Sequence, residues 1–215
     1  MCKYVVVDFE MCDVPKGVIR KRYNCACEII EIGAVLLDEK FNIVDSFKSY
    51  VSPQYGHISN RIHKLTRISD DDVADAPCFE DAVKMFVSWV PVDATLVSWS
   101  DSDETQLSRE SKCKLVQLPE LDRFFGNWVD CQQTFSKKIN QKRCYNLTEA
   151  LELTGVFYEE GAHDALVDAK NTALLFAKME QEPKLKLSEY FAECHSEHLT
   201  YSPFADLLKQ FSTAV

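Results

Sequence analysis

The sequence predicts an α/β fold, a mixed sheet with an antiparallel N-terminal meander, flanked by helices. Three observations carry this expectation. Tyr4-Val5-Val6-Val7 is a β-branched run, apolar on both faces, as in a strand covered on both sides at the centre of a sheet. Two further strand-like stretches, 28–38 and 43–51, are separated by the turn Asp38-Glu39-Lys40-Phe41-Asn42, which makes an antiparallel meander of the first three strands. Beyond Pro53, helical patterns alternate with short apolar strands, as in a mixed sheet.

The first strand ends in Asp8-Phe9-Glu10. Alternate side chains of an extended chain point the same way, so both carboxylates face one side and Phe9 the other. The second strand reads Glu28-Ile-Ile-Glu-Ile-Gly-Ala-Val-Leu-Leu-Asp38, and the third alternates apolar and polar residues until Pro53 ends it. Within 58–76, Ser69-Asp70-Asp71-Asp72 resembles a capping box and starts a short helix. From Glu80 to Val90, Val83, Phe86, Val87 and Val90 share one helical stripe. Thr95 to Trp99 is a short strand, Asp103 to Ser111 a helix, and Asn127 to Cys131 another short strand. Asn146-Leu147-Thr148-Glu149 is a second capping-box pattern, opening a helix that Gly155 closes. After Gly161 a long helix runs from Asp164 to Met179. Residues 1–182 are expected to form one domain. Residues 183–215, with Leu185, Tyr190, Phe191, Phe204 and Phe211, are too apolar for disorder and read as an appendage packed on that domain or at an interface.

At 215 residues the chain is long enough to bury a substantial core. No apolar run reaches the length of a membrane span and no signal-peptide core opens the chain, so the expectation is no membrane and a cytoplasmic protein. Nine cysteines, an odd number without a framework, fit reduced thiols in that compartment. Cys25-Ala-Cys27 and Cys194-His195 with His198 lack the second pair that a structural zinc site requires. A net charge of −10 argues against a protein that coats nucleic acid through bulk charge, but not against an enzyme that grips one strand end through metal ions and a few local bases.

Three acidic clusters carry the chemistry. Asp8-x-Glu10 ends the first strand. Ser98-Trp-Ser-Asp101-Ser-Asp103-Glu104 lies at a strand-to-helix junction, and His163-Asp164-Ala-Leu-Val-Asp168 lies at a helix start. Adjacent acids repel and are costly to desolvate, and a hard divalent cation with oxygen ligands removes both problems. Taken singly, each residue has a plainer explanation. Asp103 could cap a helix and Asp101 rivals it, Asp168 could be a first-turn acid favoured by the helix dipole, and His163 could be a loop histidine.

Together the three clusters resemble the exonuclease motifs of the DEDD superfamily in its histidine form, the DnaQ-like 3′→5′ exonucleases with an RNase H-like fold. Asp8 and Glu10 match the first motif, Asp103 the second, and His163 with Asp168 the third; the position four before Asp168 is Asp164, not the tyrosine of the other branch. Glu28 to Leu37, Tyr50-Val-Ser-Pro53, Leu65-Thr66-Arg67-Ile68 and Ala76-Pro77 resemble the short-RNA-processing and KapD-like members, with Arg67 standing where the family often has glycine. The likeness covers about residues 3 to 180.

The resemblance implies a two-metal site for Mg²⁺ or Mn²⁺ that clamps the attacking and leaving oxygens of a phosphodiester. Asp8 would bridge both ions, Glu10 and Asp168 would complete one site, and Asp103 would serve the other. His163 would be the general base, since a neutral imidazole can accept a proton near neutral pH. Five residues span about 500° of helix, so His163 and Asp168 can converge only if Gly161-Ala162-His163 is a loop. Implied substrate contacts are Phe9, Met11, Leu65 and Thr66, and the implied partner is the 3′ end of single-stranded RNA or DNA. Two basic runs, Lys16 to Arg22 and Lys137-Lys138-Ile-Asn-Gln-Lys142-Arg143, are candidates for phosphate contacts, with solvated loops as the alternative. Rival functions are a haloacid-dehalogenase-type phosphatase, which needs a second aspartate where this chain has Glu10, and an inactive nucleic-acid-binding or scaffold protein on the same fold. Oligomeric state has no signal in the sequence.

Overall fold

The computed structural model describes residues 4–19 and 23–188. The elements are β1 (Tyr4–Asp13), α1 (Lys16–Ile19), β2 (Cys27–Leu37), β3 (Ile43–Tyr50), α2 (Asn60–Thr66), α3 (Asp70–Ala74), α4 (Phe79–Trp89), β4 (Thr95–Ser98), α5 (Ser102–Cys113), a 3₁₀ turn (Pro119–Arg123), β5 (Trp128–Asp130), α6 (Cys131–Lys138), α7 (Leu147–Thr154) and α8 (Ala165–Gln181). The five strands form one sheet in the order β3-β2-β1-β4-β5. β1, β2 and β3 pair antiparallel, whereas β4 and β5 join parallel to β1. This is the mixed sheet with an N-terminal meander that the sequence predicts.

β1 is central because its apolar residues bury on both faces. Val5, Val7 and Phe9 pack with Phe79, Val83, Phe86 and Leu107 from α4 and α5. Val6 packs on the other face with Phe135, Leu151, Phe176 and Met179 from α6, α7 and α8. Tyr4 and Val6 thus share the α8 face, and by strand alternation Asp8 and Glu10 continue that row past the apolar part of the core, up to the register shift after Glu10.

Besides the short α1 in the first basic run, two helices differ from expectation. The helix expected at Ser69 is α3, but α2 precedes it, capped by the Ser59 hydroxyl that accepts the Ile62 N–H at 3.3 Å. α6 begins at Cys131, where a strand end was expected, and Asp130 caps it by accepting the Gln133 N–H at 2.7 Å. Both are too short for apolar periodicity to stand out, and their N-cap residues are the sequence signal that marks them. The described end of the chain folds back on the domain: Leu185 packs against the α8-side core, and the Ser188 N–H donates to the Leu153 carbonyl at 2.7 Å. Arg20 to Arg22 of the first basic run, Cys194, His195, His198 and the appendage from residue 189 onward lie outside the described residues.

Candidate active site at the carboxyl ends of the parallel strands

β1, β4 and β5 run parallel, and the elements that follow β4 and precede α8 bring side chains to their carboxyl ends. Asp103 sits in the first turn of α5, buried at 4% exposure, and its Oδ1 accepts the Phe9 N–H at 3.1 Å. That bond sets the start of α5 against the backbone between Asp8 and Glu10. Asp101 occupies the cap position but is exposed and caps nothing. Of the two rivals, Asp103 is therefore the one that faces the acids of β1.

A buried ion network holds α5 in this pose. Lys114 pairs with Glu28 at 2.6 Å and with Glu110 at 2.8 Å, and Glu110 accepts the Ile29 N–H at 2.9 Å. Burial would raise the Glu28 carboxyl, but Lys114 and the Gly56 and Tyr55 N–H groups hold it below its ordinary value. α5 is thereby tied to β2 by charges that are costly to separate, about 3–5 kcal/mol when one partner of a buried pair is removed.

The start of α8 sits on a saddle in the sheet. Asp8 pairs with Gly33, and Gly33 with Lys48, in one row across β1, β2 and β3. A Cβ on Gly33 would lie 2.2 Å from the Ala165 carbonyl carbon and the Leu166 nitrogen, so only glycine lets the helix approach. Glu31, 1% exposed, accepts the Ala165 N–H at 3.0 Å and pairs with Lys48 at 2.9 Å. Lys48 also pairs with Asp164 at 2.7 Å, and Asp164 caps α8 by accepting the Leu166 and Val167 N–H groups. Sequence reasoning missed Gly33, Glu31 and Lys48. Glu31-x-Gly33 was visible as an acid and a glycine on one strand face, but their partnership with Lys48 depends on register.

His163 lies in the exposed turn before α8, with φ +68°, as the loop argument requires. Its N–H donates to Asp168 Oδ2 at 2.8 Å. Ligand atoms of Glu10, His163 and Asp168 all lie within 4.8 Å of one another. Burial, then the neighbouring charges of Asp103, Asp168 and Glu10, push Asp8 well above its ordinary range. Burial, then Asp168 and Glu31, push Glu10 up to about 8. Burial pushes Asp103 up to about 7 against the Phe9 N–H, and raises Asp168 against the His163 N–H. Carboxylates held this close without a cation resist ionisation, and the donor set is all hard oxygen with one imidazole, which fits Mg²⁺ or Mn²⁺ and not a thiolate-seeking metal.

The expected substrate contacts divide. Leu65 is 40% exposed at the end of α2 and Met11 is partly buried beside the shift in β-register that follows Glu10. Phe9, by contrast, is a core residue at 4% exposure, because it points to the α4 face, away from the acids. Thr66 is also buried, and its hydroxyl is committed to the Ile62 carbonyl and the Ile68 N–H. Lys138 donates to the carbonyl oxygens of Met179 and Glu182 at the carboxyl end of α8. Met179 is eleven residues along α8 from Asp168, about 16 Å of helix at 1.5 Å per residue. Lys137 bonds Gln133, and Arg143 pairs with Glu149 and lies over the Tyr145 ring. Lys138 therefore stands at the opposite end of α8 from the acids.

Comparisons with known proteins agree with this geometry. Residues 5–176 match the RNase_T family profile, described as exonuclease. The zebrafish (Danio rerio) protein ERI1 exoribonuclease 2 is 31% identical, with 81% of this chain and 34% of that protein covered. Human 3′-5′ exoribonuclease 1 is 28% identical, with 75% of this chain and 49% of that protein covered. The chain thus spans between a third and a half of the length of these relatives. The crystal structure of the nuclease domain of 3′hExo, a DEDDh family member bound to rAMP, superposes with a TM-score of 0.72 at 25% identity, covering 86% of this chain and 96% of that one. Among the described residues, no helix is long and apolar enough to cross a membrane.

Proposed function

Because this chain belongs to the RNase_T exonuclease family, we propose that it is a metal-dependent 3′→5′ exonuclease acting on single-stranded nucleic acid, RNA in preference to DNA, and releasing nucleoside 5′-monophosphates. The observation that carries this reading is the meeting of Asp8 and Glu10 from β1, Asp103 from α5 and Asp168 from α8 beside an exposed His163. Asp8, Glu10 and Asp168 would hold one Mg²⁺ or Mn²⁺ ion, and Asp8 with Asp103 a second. Bound there, the ions would polarise the phosphodiester and neutralise charge that develops on its oxygens.

The residues themselves divide the remaining work. His163, on a turn tethered to Asp168, accepts a proton from the water that adds to phosphorus, while the bond to the 3′-oxygen of the upstream nucleotide breaks and that oxygen ends protonated. The exposed Leu65 offers an apolar surface on which a terminal base can rest. The preference for RNA is supported by relatives that are named exoribonucleases. A cytoplasmic location is part of the reading, supported by the free thiols of Cys12, Cys25, Cys27, Cys78, Cys113, Cys131 and Cys144. So is a domain organisation in which the catalytic unit spans about residues 1–182 and 183–215 is appended to it.

The test is a matched panel of end-labelled RNA and DNA single strands, duplexes and stem-loops with Mg²⁺, Mn²⁺ or EDTA. Stepwise shortening from the 3′ end, abolished by EDTA, is the expected result. Release of phosphate from small monoesters without shortening would overturn it, and cleavage of DNA faster than RNA would overturn the substrate preference.

A further inference from the structure

We propose that Arg67 is a phosphate contact for the polynucleotide strand at the rim of the acidic site, gripping a phosphodiester upstream of the terminal nucleotide. The proposal rests on the exonuclease reading and deepens it.

Arg67 occupies the C-cap of α2 in the left-handed conformation, φ +64°, with its N–H on the His63 carbonyl at 2.8 Å. Glycine fills such a position without strain, whereas any other residue crowds its Cβ against the backbone. The side chain here is long, exposed and aimed across to the loop that carries His163. Its Nη1 lies 3.8 Å from where a Cβ on Gly161 would stand, two residues before His163. Among the described residues the guanidinium has no ion pair, hydrogen bond or ring contact. The nearby Lys48 is different, because Glu31 and Asp164 both neutralise it.

An uncommitted arginine beside an acidic cleft has a physical use. The strand is a polyanion and the protein carries a net charge of −10, so approach to Asp8, Glu10, Asp103 and Asp168 is opposed until cations offset them. A guanidinium presents five N–H donors in a planar fork that matches two phosphate oxygens, and it keeps its charge at every working pH. Held in a strained backbone at the mouth of the site, Arg67 has the placement of a residue kept for contact and not for folding. The terminal phosphodiester is the business of the acids and His163, so the phosphate left for Arg67 belongs to the next nucleotide along the strand.

The test measures binding of a fluorescent single-stranded oligonucleotide by anisotropy in Ca²⁺ buffer over a range of salt, together with binding of a 5′-mononucleotide and thermal melting. Arg67→Gly should weaken oligonucleotide binding about 3- to 10-fold and flatten the log Kd against log salt line by about 0.7, one phosphate contact's share for a single strand. Mononucleotide affinity should stay within about twofold, since it lacks the upstream phosphate. The melting temperature should hold or rise, because glycine relieves the left-handed strain. Arg67→Gln, which keeps a side chain on the same backbone, should weaken binding in the same way. Parental affinity and salt slope in both variants would overturn the proposal, as would a parent that binds no oligonucleotide. A parent that binds in an Arg67-dependent manner but never shortens a strand would instead remove the exonuclease reading and leave the contact standing.

Discussion

At the scale of single residues, the chemistry lies in carboxyl groups that ionise reluctantly. Glu10 is held at about 8 and Asp103 at about 7, and Asp8 and Asp168 are also raised, chiefly by burial. The sign of the linkage follows. A carboxyl protonated in the folded protein but ionised in the unfolded chain gives stability that is full below its ordinary value and lost as pH rises through its folded value. In EDTA the melting temperature should therefore fall between about pH 4.5 and pH 8, and Glu10→Gln should flatten that fall. Mn²⁺ should restore stability most at the alkaline end, because the ion binds only the ionised cage. A melting temperature that rises over this range in EDTA would contradict the burial of these groups. Asp101 and Asp103 separate by the same logic of placement. Asp103→Asn should lose turnover by at least about a hundredfold while the protein stays folded, and Asp101→Asn should stay within about threefold, as single-turnover cleavage would read out. The reverse ranking would move the acidic set to the exposed residue.

At the scale of elements, the decisive contact is the seating of α8 on β2. Gly33 has no room for a Cβ, and the Lys48–Glu31–Asp164 ion set fastens the first turn from the β3 side. Gly33→Ala should lift the helix start, cost at least about 1–3 kcal/mol in chemical denaturation, and remove most activity because Asp168 moves with the helix. Lys48→Met leaves the approach intact but frees Asp164 and leaves Glu31 with no cation. It should lower kcat roughly 10- to 100-fold with little change in KM, since it acts on alignment and not on strand binding. Unchanged kcat in Lys48→Met would mean that the Glu31 and Asp164 bonds to the α8 backbone suffice alone. The network of Lys114 with Glu28 and Glu110 plays the matching part for α5. Two helices bearing metal-ligand candidates are thus each tied to the same strand, β2, by buried charge.

At the scale of the molecule, the packed contacts continue past the last helix. Leu185 covers part of the α8-side core, and Ser188 bonds to the end of α7. A chain ended after Glu182 should melt about 2–8 °C below one ended after Ser188, from the lost apolar contact and hydrogen bond. Both should retain the metal-dependent activity, because every acid of the site lies in residues 8–168. Equal melting temperatures would mean that residues 183–188 add nothing to the stability of the domain they pack on. The charge pattern is likewise a property of the whole. Next to the His163 loop Lys48 is already neutralised by Glu31 and Asp164, so a cation left unpaired beside that loop, as Arg67 is among the described residues, acquires weight out of proportion to its single charge.

Much of this protein was legible in one dimension. Strand alternation in Tyr4–Glu10 put Asp8 and Glu10 on one face, the two capping boxes marked the starts of α3 and α7, and the five-residue offset from His163 to Asp168 required a loop that the structure has, at φ +68°. Those features are local, set by side-chain period, cap chemistry and backbone sterics within a few residues. Tertiary structure alone decided the rest. Phe9 and Thr66 proved to be buried because strand face and helix seating, not neighbourhood in sequence, determine what solvent sees. Lys138 turned to the far end of α8 because α6 runs back from β5 to meet it there. Gly33, Glu31 and Lys48 matter only through the register of three strands and the helix laid across them, over separations of more than a hundred residues. Arg67 reaches the His163 loop for the same reason. Contacts at that range are fixed by packing, which no local pattern encodes.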